Sequence, residues 1–122
     1  DLGWGNYVFN FDITPYINNP EGFWIKEEAA WIDRMFDDPE FVALVKEKWS
    51  RMYADKELII AKIHELAARQ RASAYVNDIR WRRLTTSGDY SFIVRSYDSE
   101  VDNFVTWVSR RLEWMNGAIN EL

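Results

Sequence analysis

Asp37-Asp38-Pro39-Glu40-Phe41-Val42-Ala43-Leu44-Val45-Lys46-Glu47-Lys48-Trp49-Ser50-Arg51-Met52-Tyr53 is the stretch that decides the fold class of this chain. Asp38 can cap a helix, Pro39 suits the first helical position, and Glu40 complements the positive helix end. Phe41, Leu44, Val45, Trp49 and Met52 then recur at helical spacing and would form a buried stripe. The pattern predicts a helix from about Pro39 to Tyr53.

The same periodicity extends in both directions. Upstream, Lys26 to Phe36 holds the helix formers Glu27, Glu28, Ala29 and Ala30, with Trp31, Ile32, Met35 and Phe36 at helical spacing. Downstream, Asp55 can cap a third helix whose apolar face is Leu58, Ile59, Ile63, Leu66 and Ala67. No proline stops it before about Leu84, and Ala72-Ser73 is where it could bend. Thr85 to Tyr97 reads as a loop with Ser87-Gly88-Asp89 as its turn. Asp98-Ser99 starts a last helix, in which Val101, Phe104, Val105, Val108, Leu112, Met115 and Ile119 keep a 3.6-residue rhythm. Asn116-Gly117 is where it could end or fray.

Residues 1–25 are different. Gly3, Gly5, Gly22, Pro15 and Pro20 lie there, with Asn6, Asn10, Asn18 and Asn19. This is loop chemistry. Tyr7 to Phe11 alternates like a strand but is too short to found a sheet. The expected architecture is therefore mainly α: an irregular segment over 1–25, then about four helices over 26–122. They would form an antiparallel bundle or helical subdomain glued by aromatic residues.

Composition narrows the function classes. The chain has 122 residues, one domain's worth, and would bury roughly 65% of its unfolded surface. Aromatics at 16% argue against disorder. Cysteine is absent, which removes disulfide scaffolds, Cys-ligated zinc and thiol catalysis. His64 is the single histidine, so a His-rich metal site and a histidine relay are excluded too. It reads as an ordinary helix histidine. No apolar run approaches the roughly 18 residues of a membrane span. The chain shows no signal peptide, and it begins at Asp1, which reads as a processed end or a cut from something longer.

Charge is unevenly spread. Residues 1–60 carry 12 acids and 6 bases, residues 61–95 carry 3 and 7, and residues 96–122 carry 5 and 2. The net charge is −5. An acidic chain with one basic waist is a poor nucleic-acid binder, though the waist can meet an acidic surface. Its densest part is Arg80, Trp81, Arg82 and Arg83, with Arg69 and Arg71 upstream. Arginines beside an aromatic can grip an anion or stack, so these four are candidate anion or partner contacts. The plainer reading pairs the arginines with acids of neighbouring helices. Glu27-Glu28 and Asp37-Asp38 are explained by helix ends, and Asp33-Arg34 by a solvated face. No Walker loop, dinucleotide fingerprint or Ser-His-Asp arrangement is present.

The order of several motifs carries a resemblance. Asp1-Leu2-Gly3-Trp4-Gly5-Asn6 resembles the end of the Trp-Asp-x-Asp-x-x-x-Gly-Asn stretch of the spore coat protein H (CotH) kinase family. Gly22-Phe23-Trp24, Trp31, Arg34-Met35-Phe36, Asp38-Pro39, Phe41 and Lys48-Trp49 follow. They are similar to the family's later segment, where Arg-Trp stands in place of Lys48-Trp49. Arg80-Trp81 and Arg110-Arg111-Leu112-Glu113-Trp114-Met115 resemble its two late Trp/Arg helices. The likeness covers nearly the whole chain.

The resemblance implies a divergent branch of the protein-kinase-like fold, whose members transfer phosphate from ATP to protein serines with a divalent metal. Asp1 would match the second Asp of the metal-binding pair, and Asn6 the Asn of Gly-Asn. Magnesium takes such hard oxygen ligands and shares them with phosphates. The preceding Asp, the nucleotide-gripping lysine, its glutamate partner and the catalytic-loop Asp are not in this sequence. The expectation is thus the C-terminal helical part of a CotH-like kinase, without a cofactor of its own. Magnesium and ATP are implied for the intact parent. Its partners would be the remainder of the kinase domain and a coat or surface protein as substrate. Spore coat, surface or export is the localisation the family implies. The alternative is a free-standing Trp-rich interaction module. Either reading leaves exposed apolar surface through which homodimers could form.

Overall fold

The computed structural model describes residues 19–23, 26, 29–82 and 96–122. Among them four helices are present: α1 (Ala30–Met35), α2 (Pro39–Ala54), α3 (Lys56–Trp81) and α4 (Tyr97–Asn120). The expected mainly α architecture is what forms. Glu27-Glu28, Tyr7 to Phe11 and Ser87 to Asp89 lie outside the described residues.

The start of α2 follows from its sequence. The Asp38 side chain accepts from the Glu40 backbone N–H at 2.8 Å, and Pro39 opens the helix. Phe36 and Phe41 meet edge to face at 5.2 Å and fix the corner between α1 and α2. Lys26 closes the far side of that corner, bonding Asp33 at 2.6 Å and lying over the Phe36 ring.

One residue, Asp55, ends α2 and begins α3. Its position is as expected, but its side chain makes no cap hydrogen bond. The third helix runs straight through Ala72-Ser73 and ends at Trp81, three residues earlier than the sequence pattern suggested. Arg82 stops it by adopting the left-handed region at φ 52°, where its N–H bonds the Asp78 carbonyl at 2.7 Å. The last helix starts two residues before the expected Asp98-Ser99 pair reaches its second member. Ser96 and Ser99 form a reciprocal capping box, at 3.0 and 3.1 Å. Gly117 does not end it; the helix continues to Asn120.

Cross-helix contacts define the packing. Lys46 reaches the Asn120 carbonyl, Trp49 reaches Asn116, and Tyr53 reaches Glu113. Farther on, Lys56 reaches Glu113, and Tyr97 reaches the Ala67 carbonyl. As numbers rise along α2 and α3, their partners on α4 fall. Both helices therefore run antiparallel to α4, one after the other. The described helices make a two-rod hairpin: α2–α3, broken at Asp55, against α4. Among the described residues, an up-and-down bundle of separate antiparallel neighbours does not form.

The core sits where α2 and α4 cross. Trp49, Leu112, Met115 and Ile119 are its buried apolar side chains, with Val45, Met52, Tyr53, Ile59 and Val108 packed around them. Rod lengths explain the rest. The start of α4 reaches only to about Tyr75, whose ring meets Tyr97 at 6.3 Å. Val76, Ile79 and Trp81 lie beyond that point and are exposed. At the other end Leu44 lies past the last contact with α4. It is half exposed, not part of a buried stripe as its spacing suggested. The expected apolar face of α3 is likewise open at Leu58 and Leu66, and α3 has no buried residue.

Candidate functional site

The arginine cluster stands at the projecting tip of α3. Arg80 stacks over Trp81 at 5.1 Å, and Trp81 remains 58% exposed. Arg82 occupies the helix end. Arg83 and Asp1 lie outside the described residues. The structure thus brings Arg80, Trp81 and Arg82 to one helix end. The plainer reading, pairing with an acid of a neighbouring helix, holds for Arg71, which bonds Asp98 of α4 at 2.9 Å, whereas Arg69 approaches Glu65 of its own helix at 3.6 Å. These are exposed pairs and contribute little, about 0–1 kcal/mol each. His64 is exposed on α3.

An open groove of about 450 Å³ lies along the first half of α3. Asp55, Leu58, Ile59, Lys62, Ile63 and Leu66 line it. Its walls are mostly aliphatic and few polar groups converge there. Such a groove suits an apolar protein side chain better than a polar small molecule.

The most buried charge among the described residues is Arg111, at 8% exposure. Its Nη1 donates to the carbonyl oxygens of Pro20 and Gly22 at 2.8 and 2.7 Å. The guanidinium lies 5.1 Å from the Trp114 ring, and Phe23 packs on Trp114 at 4.8 Å. Gly22 has φ +100°, a conformation L side chains rarely adopt, and that turn sits between the two carbonyls Arg111 holds. Burial lowers the Arg111 pKa from its ordinary value. The clamp fastens residues 20–23 to α4. Sequence reading found Arg111 and Trp114 only as a family-like motif. Their spacing of three places both on one helix face, but nothing local names partners about 90 residues away.

A second polar cluster joins the α2–α3 junction to α4. Tyr53 donates to Glu113 at 2.6 Å, and Lys56 donates to Glu113 at 2.7 Å and to Tyr53 at 3.0 Å. The Lys56 and Tyr53 bonds hold the Glu113 carboxyl below its ordinary pKa, and the bonds of Lys56 to Glu113 and Tyr53 raise Lys56. A depressed carboxyl pKa stabilises the fold above the unfolded value and is lost as pH falls through the folded one. Wild type should therefore lose stability on acidification below the ordinary carboxylate range. A Glu113→Gln variant should lose less over that window, as read from urea midpoints at several pH values. Equal slopes for the two proteins would show that the cluster carries no such linkage.

Among the described residues no group of three or more His, Cys, Asp or Glu could hold a metal ion. No described helix is long and apolar enough to cross a membrane. No curated protein and no solved structure matches this chain. The family profile described as CotH kinase protein matches residues 1–115. That span takes in the Asp1 to Asn6 motif, the capped start of α2 and the Arg111–Trp114 clamp, and on it the chain belongs to the CotH kinase protein family.

Proposed function

We propose that this chain is the C-terminal helical part of a CotH-like protein kinase, and that its role there is structural. The intact parent would transfer phosphate from ATP to a protein, with magnesium. The observation that supports this most directly is the family match over residues 1–115. The Arg111–Trp114 clamp adds a physical role: it ties the chain leading back to Asp1 onto a helical body. Asp1 remains the one metal ligand the resemblance implies. The exposed Arg80–Trp81 tip is suited to meeting acidic or phosphorylated protein, which would make α3 the substrate-presenting element. Trp31 at 71% exposure and Leu44 at 48% are surface that the remainder of a kinase domain would cover.

Phosphoryl transfer needs a nucleotide grip, metal ligands and a catalytic base in one place. This sequence shows no segment resembling the first or the last. The purified 122 residues should accordingly transfer no phosphate from Mg–ATP to a protein acceptor, whereas a longer parent carrying those parts should. Transfer by the 122 residues alone, abolished by Asp1→Asn, would overturn the reading.

A further inference from the structure

A hairpin of two rods leaves a long helix covered on one side only. The third helix has 26 residues, so it is roughly 39 Å long. Its contacts with α4 run through Lys56, Ala67, Arg71 and Tyr75. The face turned away carries Leu58, Ala61, Glu65, Ala68, Ala72, Val76 and Ile79, which recur every three or four residues and are all exposed. Leu58 and Val76 are each 67% exposed and Ile79 is 77%. Large apolar residues stand at the two ends of this face, and alanines lie between them. Small central residues let two helix backbones approach closely.

Charge supplies the direction. Asp55 and Glu57 lie at the start of α3, and Arg80 and Arg82 at its end. A parallel partner of the same kind would set like charges against each other at both ends. An antiparallel one sets acid against base at both ends and opposes the helix dipoles.

We propose that the outward face of α3 is a self-association surface, on which a second copy of this chain pairs its own α3 antiparallel about a two-fold axis near Ala68-Arg69. In that register Leu58 meets the partner's Ile79, Ala61 meets the partner's Val76, and Asp55 falls within one helical turn of the partner's Arg80. The interface is isologous, so one surface patch serves both subunits. Arg69 of each copy lies close to the axis, and Glu65, its neighbour one turn back, offsets the repulsion. The proposal rests on α3 alone and is independent of phosphotransfer.

Sedimentation equilibrium of the 122-residue chain tests it. The expected result is a reversible dimer. Ile79→Glu should weaken it about tenfold or more, because it sets an unpaired charge against the partner's Leu58, and should leave the helical circular dichroism unchanged, because Ile79 is 77% exposed. Arg80→Glu should weaken the dimer and Asp55→Arg/Arg80→Glu should restore it. The chain has no cysteine, so introduced thiols report orientation cleanly. Ala68→Cys should form an intermolecular disulfide, and Leu58→Cys alone should not. A monomer at all concentrations, a dimer indifferent to Ile79→Glu, or self-crosslinking of Leu58→Cys would each overturn the proposal.

Discussion

Leu112→Ala is expected to lower the stability of the chain by about 3 kcal/mol, within the range of large-to-small core substitutions. Leu112 is 1% exposed, the most enclosed side chain among the described residues. It is packed with Trp49, Met115 and Ile119, and three partly buried neighbours on α2 stand behind them. The indole of Trp49 is held by its bond to Asn116 at 3.2 Å, so it cannot slide inward to fill the vacated space. A cavity should therefore remain, and the cost should exceed simple methylene transfer. Small domains are stable by only about 5–15 kcal/mol, so this one change removes a large share. Urea denaturation followed by circular dichroism measures it. A loss below about 1 kcal/mol would show that the site collapses and that the main core lies elsewhere.

Arg111→Met should cost about 2–3 kcal/mol, since hydrogen bonds from a charged donor contribute about 1.5–3 kcal/mol. Methionine keeps much of the aliphatic stem but leaves the Pro20 and Gly22 carbonyls without their donor. The loss should be local as well as global. Hydrogen exchange at Gly22 and Phe23 should accelerate more than exchange within α4. Arg111→Lys should recover less than half of the stability, because a single ammonium cannot match the planar guanidinium that bonds two carbonyls while stacking on Trp114. The opposing outcome is informative too. Burying a guanidinium carries a desolvation cost, and buried ionic groups are sometimes replaced by apolar ones without loss. A Met variant as stable as wild type would mean that Trp114 and Phe23 alone hold residues 20–23.

How much of this was legible in the sequence depends on how local the cause is. Asp38-Pro39-Glu40 announced the start of α2 because capping involves only adjacent residues. The rhythm from Val101 to Ile119 announced α4, and its last three members are indeed buried. The Ser96 cap is masked in the sequence because Asp98-Ser99 offers a similar signal two residues on. Spacing could not tell that Leu44, Leu58 and Leu66 stay open. Periodicity records which residues share a face; whether a neighbour covers that face depends on the lengths of the other rods. The site divides the same way. Arg80, Trp81 and Arg82 are neighbours in sequence and so were visible as a cluster. The clamp from Arg111 to Pro20 and the Lys56–Glu113 pair join distant segments, and no local pattern encodes them.

The position of the core at the crossing of α2 and α4 shapes how the chain can fold. Trp49 and Asn116 are separated by 67 residues, and most of the interval is α3 and the first part of α4. Folding slows as contacting residues lie farther apart in sequence, because loop closure must precede the contact that rewards it. Bringing α2 to α4 through a fully flexible interval would be slow. With α3 already helical, 26 of those residues become one rigid arm, and only the connection after it must search. Helix formation takes about a microsecond or less, far faster than such a search. The long helix that buries almost nothing is thus kinetically central: it shortens the effective loop through which the core is reached.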